Sequence, residues 1–185
     1  MQTKDWVDPI PPDKKNIKPK LGRTDMIYCQ VTSDDYFDTF PDQRYDVIFI
    51  DGMHTKEQAW KDFLNSLKVL NPGGAIIFHD CKPTTENMQR VPQMQKRWTG
   101  DVWKAWVAVR SLTPQVIGCC VDGDYGLGVL IPDFDYDVLE EVKFVATGWD
   151  ALSYIGLGVN RYGWLNLVDD EYFMELLEGV SPISR

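Results

Sequence analysis

At 185 residues, with 44% hydrophobic and 25% charged side chains, the chain has the composition of one ordinary globular domain with a buried core, not of a disordered or fibrous protein. A net charge of −9 argues against nucleic acid as a partner, because phosphate binding is built on clustered lysine and arginine. No apolar run approaches the roughly 20 residues that span a bilayer and the polar N-terminus is no signal peptide, so a cytoplasmic protein without a membrane anchor is expected. The four cysteines (Cys29, Cys81, Cys119, Cys120) lack metal-ligand spacing, and two of them adjoin in an apolar stretch, which suits buried, reduced thiols.

Residues 5–8 form a short apolar step that ends in Asp8-Pro9, followed by a segment rich in proline and lysine as far as Lys20. Read alone, this is a frayed terminus with a solvated basic loop. Residues 26–31 (MIYCQV) predict a strand, and Thr32-Ser33-Asp34-Asp35 supplies a cap and first-turn acids for a helix over 34–40. Residues 45–50 (YDVIFI) are an apolar, β-branched run, as expected of a strand buried on both faces of a parallel sheet. Residues 56–70 place Ala59, Trp60, Phe63, Leu64 and Leu67 on one helical stripe, with Lys56, Glu57, Lys61 and Asn65 on the other side. Asn71-Pro72-Gly73-Gly74 then stops the helix, and residues 75–78 read as a second buried strand.

A right-handed βαβ unit puts both strand ends on one edge of the sheet. That edge gathers Asp51, Gly52, His54, His79 and Asp80, including both histidines of the chain. Ligands of open α/β sheets bind at the carboxyl ends of strands. For Asp51 a plainer role is open too, as a cap of the helix that begins near Thr55 or a brace of the Gly52 turn.

Residues 82–92 predict a polar loop over this edge, and residues 98–104 lead into a helix to about residue 112, with Trp103 and Trp106 in the core. Residues 115–121 and 126–131 read as strands, and the tight link Asp122-Gly123-Asp124-Tyr125 makes them an antiparallel hairpin. The tail carries apolar stretches at 138–145 and 149–158, then an amphipathic helix with Tyr172, Phe173, Leu176 and Leu177 facing inward and Asp169-Asp170-Glu171 at its N-terminal end.

FIDGMH (49–54), the helix with Asp62 and NPGGAIIFHD (71–80), in this order and at βαβ spacing, resemble the fourth and fifth strands of the class I S-adenosylmethionine (SAM)-dependent methyltransferases. The nearest subgroup carries an F-I-D-G-x-H loop and a G-G-x-x-x-F-H-D strand; DGDYGLGV (122–129), Asn160-Arg161 and Leu165-Asn166-Leu167 are similar to it as well. The resemblance implies an α/β, Rossmann-like methyltransferase fold, a mostly parallel sheet with a C-terminal antiparallel hairpin. Residues 1–185 would form a single partial domain, with 133–185 as its helical extension. It also implies SAM as cofactor and O-methylation of a small molecule such as a sugar hydroxyl. Asp8 would bind the ribose hydroxyls, where two acceptor oxygens suit a vicinal diol. Ser33 would lie near the adenine, and Asp51 at the cofactor's edge of the sheet.

No G-x-G-x-G occurs in the 185 residues, and nothing in them matches the family's first strand. An N-terminally truncated domain is therefore expected, and the alternative function is a non-catalytic methyltransferase-like scaffold or partner-binding module. An open strand edge would favour a homodimer.

Two chemistries are open at the cluster. In one, Asp51 and Asp80 hold a divalent metal such as Mg²⁺ or Mn²⁺ that acidifies the acceptor hydroxyl. His79 would then stand in for the asparagine that related enzymes place where this chain has Cys81, since a thiol suits a hard cation poorly. In the other, His54 is the general base, with an ordinary pKa near 6.5 that suits work at neutral pH.

Overall fold

A computed structural model describes residues 2–10, 24–112, 115–133 and 148–180. The segments read above at 11–20 and 138–145 lie outside the described residues. The chain divides into two compact units, Met1–Gln43 and Arg44–Arg185.

In the first unit β1 (Gln2–Val7) and β2 (Thr24–Cys29) pair in parallel, from Gln2 opposite Thr24 to Val7 opposite Cys29. The strand expected at 26–31 thus begins and ends two residues earlier. Helix α1 (Ser33–Thr39) follows, capped by Thr32, whose hydroxyl accepts from the Asp35 amide at 3.1 Å. Ser33 is consequently the first helical residue and not the cap. The buried Tyr36 donates its hydroxyl to Asp5 Oδ2 at 2.6 Å, anchoring α1 to β1.

The second unit is built on a five-stranded mixed sheet of order β3-β4-β6-β5-β7, formed by β3 (Tyr45–Ile50), β4 (Leu70–Phe78), β5 (Gln115–Val121), β6 (Leu127–Pro132) and β7 (Leu167–Val168). β3 and β4 are parallel; β6 is antiparallel to both its neighbours; β7 is parallel to β5. The crossover between β3 and β4 is α2 (Lys56–Val69), and α3 (Glu86–Gln89) and α4 (Val102–Leu112) lead to β5. A 3₁₀ turn (Trp149–Ala151), α5 (Tyr154–Leu165) and α6 (Asp170–Gly179) complete the described part.

One face of this sheet (Ile50, Ile76, Phe78, Leu130, Cys120) packs on Phe63 and Leu67 of α2, Trp103 and Trp106 of α4, and Leu157 and Leu165 of α5. All the α2 stripe residues predicted from periodicity lie in or against this core. At roughly 1.5–3 kcal/mol for each fully buried large side chain, this layer is the main stabilising element of the unit. No helix among the described residues is long and apolar enough to cross a membrane.

Four expectations change. β3 is not buried on both faces: the helical layer covers only the face of Ile48 and Ile50, while Val47 and Phe49 are 59% and 54% exposed. Lys56 does not face solvent: its ammonium is largely covered, 2.6 Å from Glu57 and 3.4 Å from Asp101, and lies over the Trp149 ring. Asn71–Gly74 is not a free turn, because strand pairing resumes at Leu70, opposite Tyr45, and these residues bulge out before Ala75 pairs with Val47. Gly74 is required there, since a Cβ would come within 2.9 Å of the Asp46 and Asn71 carbonyl oxygens. Finally, α6 buries no residue fully: it packs beside β5, and Tyr172 and Leu177 stay exposed while Phe173 and Leu176 are half-covered.

Of the four cysteines expected to be buried thiols, Cys81, Cys119 and Cys120 are buried and free, whereas Cys29, also free, is only partly buried. Burial pushes the Cys119 thiol up to about 11 and the Cys120 thiol up to about 12, which makes both inert as nucleophiles.

Candidate active site at the carboxyl edge of β3 and β4

The β3 strand ends at Ile50, and the next residues turn outward as Asp51-Gly52-Met53-His54 before Thr55 caps α2. The Thr55 hydroxyl accepts from the Gln58 amide at 3.3 Å, so Asp51 is not the cap and its carboxylate faces the site. β4 ends at Phe78; the His79 amide still donates to the Ile50 carbonyl at 3.0 Å, which places His79 beside Asp51. Asp80 then takes a left-handed backbone with φ 62° and is almost fully buried. A non-glycine residue there costs about 1–3 kcal/mol and persists only where its surroundings fix it. Here the Cys81 amide donates to Gly126 at 3.1 Å and the Lys82 amide donates to Tyr125, clamping the turn from the β5–β6 hairpin.

The result is a compact cluster of two carboxylates and two imidazoles. His79 Nδ1 lies 3.0 Å from Asp51 Oδ1, and its Nε2 lies 3.5 Å from Asp124 Oδ2. His54 Nε2 lies 3.6 Å from Asp51 Oδ1, and its Nδ1 lies 3.0 Å from Asp80 Oδ2. One ligand atom each from Asp51, His54 and Asp80 falls within 4.8 Å of the others, so these three could hold a metal ion. His79 stands beside that trio, hydrogen-bonded to Asp51. The Cys81 thiol points away, buried against the Phe78 carbonyl, and takes no part.

Electrostatics shifts both histidines in the same direction. The hydrogen bond with Asp51, followed by the charges of Asp80, Asp51 and Asp124, raises the His79 pKa to about 9 against the opposing effect of burial. His79 is therefore an imidazolium at neutral pH. His54 is also raised, first by Asp51 and then by Asp80 and the Trp98 carbonyl, with burial opposing. Burial pushes the Asp51 carboxyl up, but hydrogen bonds with His54 and His79 outweigh it and hold it well below the usual carboxylate range. Asp80 is raised, chiefly by burial.

The His79 shift has a stability consequence. A histidine whose folded pKa exceeds its unfolded value stabilises fully below about pH 6.5 and loses that contribution as pH rises through about 9. The ceiling is ~3 kcal/mol, reduced because the partner Asp51 is 44% exposed and screened by solvent. Urea unfolding across this range is expected to show stability falling with rising pH, and His79→Gln is expected to flatten that fall. An identical pH dependence in the variant would refute the pairing.

The other sequence-derived candidates lie in the first unit. Asp8 follows β1, with its amide bonded to the Cys29 carbonyl at 3.2 Å and Oδ1 accepting from the Ile10 amide at 2.8 Å. Ser33 opens α1 after β2, so both sit past the carboxyl ends of parallel strands. Asp122 is tied to Lys82, while Asp124 does more than turn the hairpin, because it faces His79.

Sequence reasoning missed two contributors. Trp98 stacks on the His54 ring, with centroids 5.3 Å apart and planes at 23°, and offers its carbonyl to Nδ1 at 3.0 Å. Asp101 accepts from the Lys56 amide at 2.7 Å and so braces the start of α2. Only Asp101 carried a signal, as a polar residue just ahead of an apolar helical run.

No curated protein matches the sequence at a level that would indicate a relative. Residues 7–81 match the family model described as "Methyltransferase domain". The matched stretch runs from the end of β1 to just past β4 and contains Asp8, Ser33, Asp51, His54, His79 and Asp80, and it supports a methyltransferase domain in this chain.

Proposed function

We propose that the chain carries out SAM-dependent O-methylation of a small molecule such as a sugar hydroxyl, with His54 as the general base. The observation that carries this reading is the geometry of the two histidines at one sheet edge. His79 is held as a cation between Asp51 and Asp124, while His54 keeps Nε2 beyond ordinary hydrogen-bond length from Asp51. Titratable groups perturbed by specific charge partners and gathered at one sheet edge mark candidate acid–base sites. The strand order, with antiparallel β6 inserted beside β4, and the parallel β1–β2 pair support a Rossmann-like methyltransferase fold.

The cofactor, when bound, supplies an electrophilic methyl group on a sulfonium. Asp8 would hold its ribose hydroxyls and Ser33 would lie near its adenine. On the acceptor side, His54 Nε2 takes the hydroxyl proton and leaves the oxygen its electron pair for bond formation. Asp51, 3.6 Å away, stabilises the imidazolium that results. His79 offsets the charge of Asp51 across their 3.0 Å contact. Were a divalent cation used, Asp51, His54 and Asp80 would hold it and it would acidify the acceptor hydroxyl.

Calorimetric titration with S-adenosylhomocysteine, with and without Mg²⁺, tests the cofactor assignment. Micromolar binding is expected, weakened at least tenfold in Asp8→Ala, about the value of a charge-assisted hydrogen bond. A folded protein that binds nothing at millimolar ligand would instead support the non-catalytic scaffold.

A further inference from the structure

We infer that the segment Trp98–Gly100 is a positioning device that fixes the His54 tautomer, the Trp98 carbonyl holding the proton on Nδ1 so that Nε2 is the working nitrogen. The inference rests on the reading of His54 as proton acceptor for its use in catalysis, but its geometry stands apart from that reading.

Two oxygens face His54 Nδ1 at 3.0 Å, Asp80 Oδ2 and the Trp98 carbonyl. They are not equivalent. A carboxyl group can accept a hydrogen bond or, when protonated, donate one, so Asp80 alone does not fix where the ring carries its proton. A backbone carbonyl can only accept. A ring nitrogen held against it must carry the hydrogen, and in the neutral ring the other nitrogen is then the free base. In free neutral histidine the Nε2–H form prevails, so the protein has to select the opposite tautomer.

The carbonyl is held with unusual redundancy. The amides of Thr99 and Gly100 both donate to the Met88 carbonyl, at 3.0 and 3.1 Å, and the buried Thr99 hydroxyl donates to the same oxygen at 3.2 Å. The Trp98 indole donates to the Arg90 carbonyl at 2.6 Å while its ring lies on the imidazole. Gly100, at φ 58°, abuts the backbone of His54: a Cβ there would lie 2.6 Å from the His54 carbonyl carbon and run into its oxygen. The segment thus grips His54 at both ring and backbone, and only glycine fits the second grip.

Long-range ¹H–¹⁵N NMR of labelled protein, recorded above the titration of His54, reads the tautomer directly. The chain has two histidines, so His79→Gln assigns the His54 signals. The Nδ1–H form is expected in the wild type. Asp80→Asn should retain it, because the carbonyl remains; asparagine also tolerates the left-handed backbone at this position. Gly100→Ala should shift the tautomer ratio toward Nε2–H by about tenfold, the value of one net hydrogen bond. An Nε2–H form in the wild type overturns the inference. So does its appearance in Asp80→Asn, which would make the carboxylate the selecting group, or an unchanged ratio in a folded Gly100→Ala protein. Should Gly100→Ala not fold, the wild type and Asp80→Asn still decide. None of these readouts needs cofactor or acceptor, so a chain that transfers no methyl group would overturn the proposed function and leave the tautomer assignment standing.

Discussion

His54→Gln is expected to lower methyl transfer by about 10²–10⁴-fold, the usual contribution of a positioned general base, with little change in cofactor affinity. Glutamine keeps the polarity and approximate reach of the side chain but cannot hold a proton at Nε2. The pH profile gives the stricter test. A base works only when unprotonated, and the folded pKa of His54 is raised above 6.5 by Asp51 and Asp80. The wild-type rate should therefore fall as pH drops through a value above 6.5, and this acid limb should vanish in His54→Gln. His79→Gln should act in a different sense. It removes a cation that partly neutralises Asp51, so the acid limb should move to higher pH and not disappear. Transfer to a panel of sugar hydroxyl acceptors measures all three proteins. An acid limb that persists in His54→Gln and disappears in His79→Gln would exchange the roles of the two residues.

Trp106→Ala is expected to be the most destabilising single substitution in the second unit. The ring is fully buried, packs on Phe78 with centroids 5.8 Å apart, and donates its indole N–H to the Leu165 carbonyl at 3.1 Å. Gly128 of β6 lacks the Cβ that would come within 2.7 Å of the same ring, so the sheet is shaped around it. Removing a buried tryptophan costs about 3–5 kcal/mol, and leaving the Leu165 carbonyl unpaired adds ~1 kcal/mol or more. Against a total stability of roughly 5–15 kcal/mol, this is a large fraction. Urea unfolding should show the midpoint fall accordingly, with Trp106→Phe losing distinctly less because most of the volume stays. Equal losses for the two variants would assign the effect to the hydrogen bond and not to packing.

The βαβ core was legible because its signals are local. Residues 45–50 form a strand with the bounds expected, and the stripe from Ala59 to Leu67 forms the buried side of α2. The hairpin was legible from Asp122-Gly123-Asp124-Tyr125, where Asp124 and Tyr125 take the positive φ angles of a type I′ turn closed by the Gly126 amide on Gly123. What stayed hidden depends on partners distant in sequence. Lys56 reads as a solvent-side lysine until Asp101 and Trp149 arrive to cover it. The outer face of β3 reads as buried because an apolar run carries no information on whether a second layer packs against that face. The site was half legible: the four acids and imidazoles were visible as a motif, but not what each imidazole would touch. Those contacts include Asp124 and the Trp98 carbonyl, from segments whose sequence gives no hint that they reach the same edge.

β6 lies between β4 and β5 although it follows both in the chain. On a ribosome adding roughly 5–20 residues per second, β4 and β5 emerge before the strand that joins them. Until then β4 presents an open apolar edge, the kind that invites pairing with another nascent chain. The left-handed turn at Asp80 also waits, since the backbone bonds that hold it come from Tyr125 and Gly126. Chemistry at this edge thus has to wait for the β5–β6 hairpin during synthesis, and a chain interrupted before residue 127 would carry every acid and imidazole of the inner cluster without their arrangement.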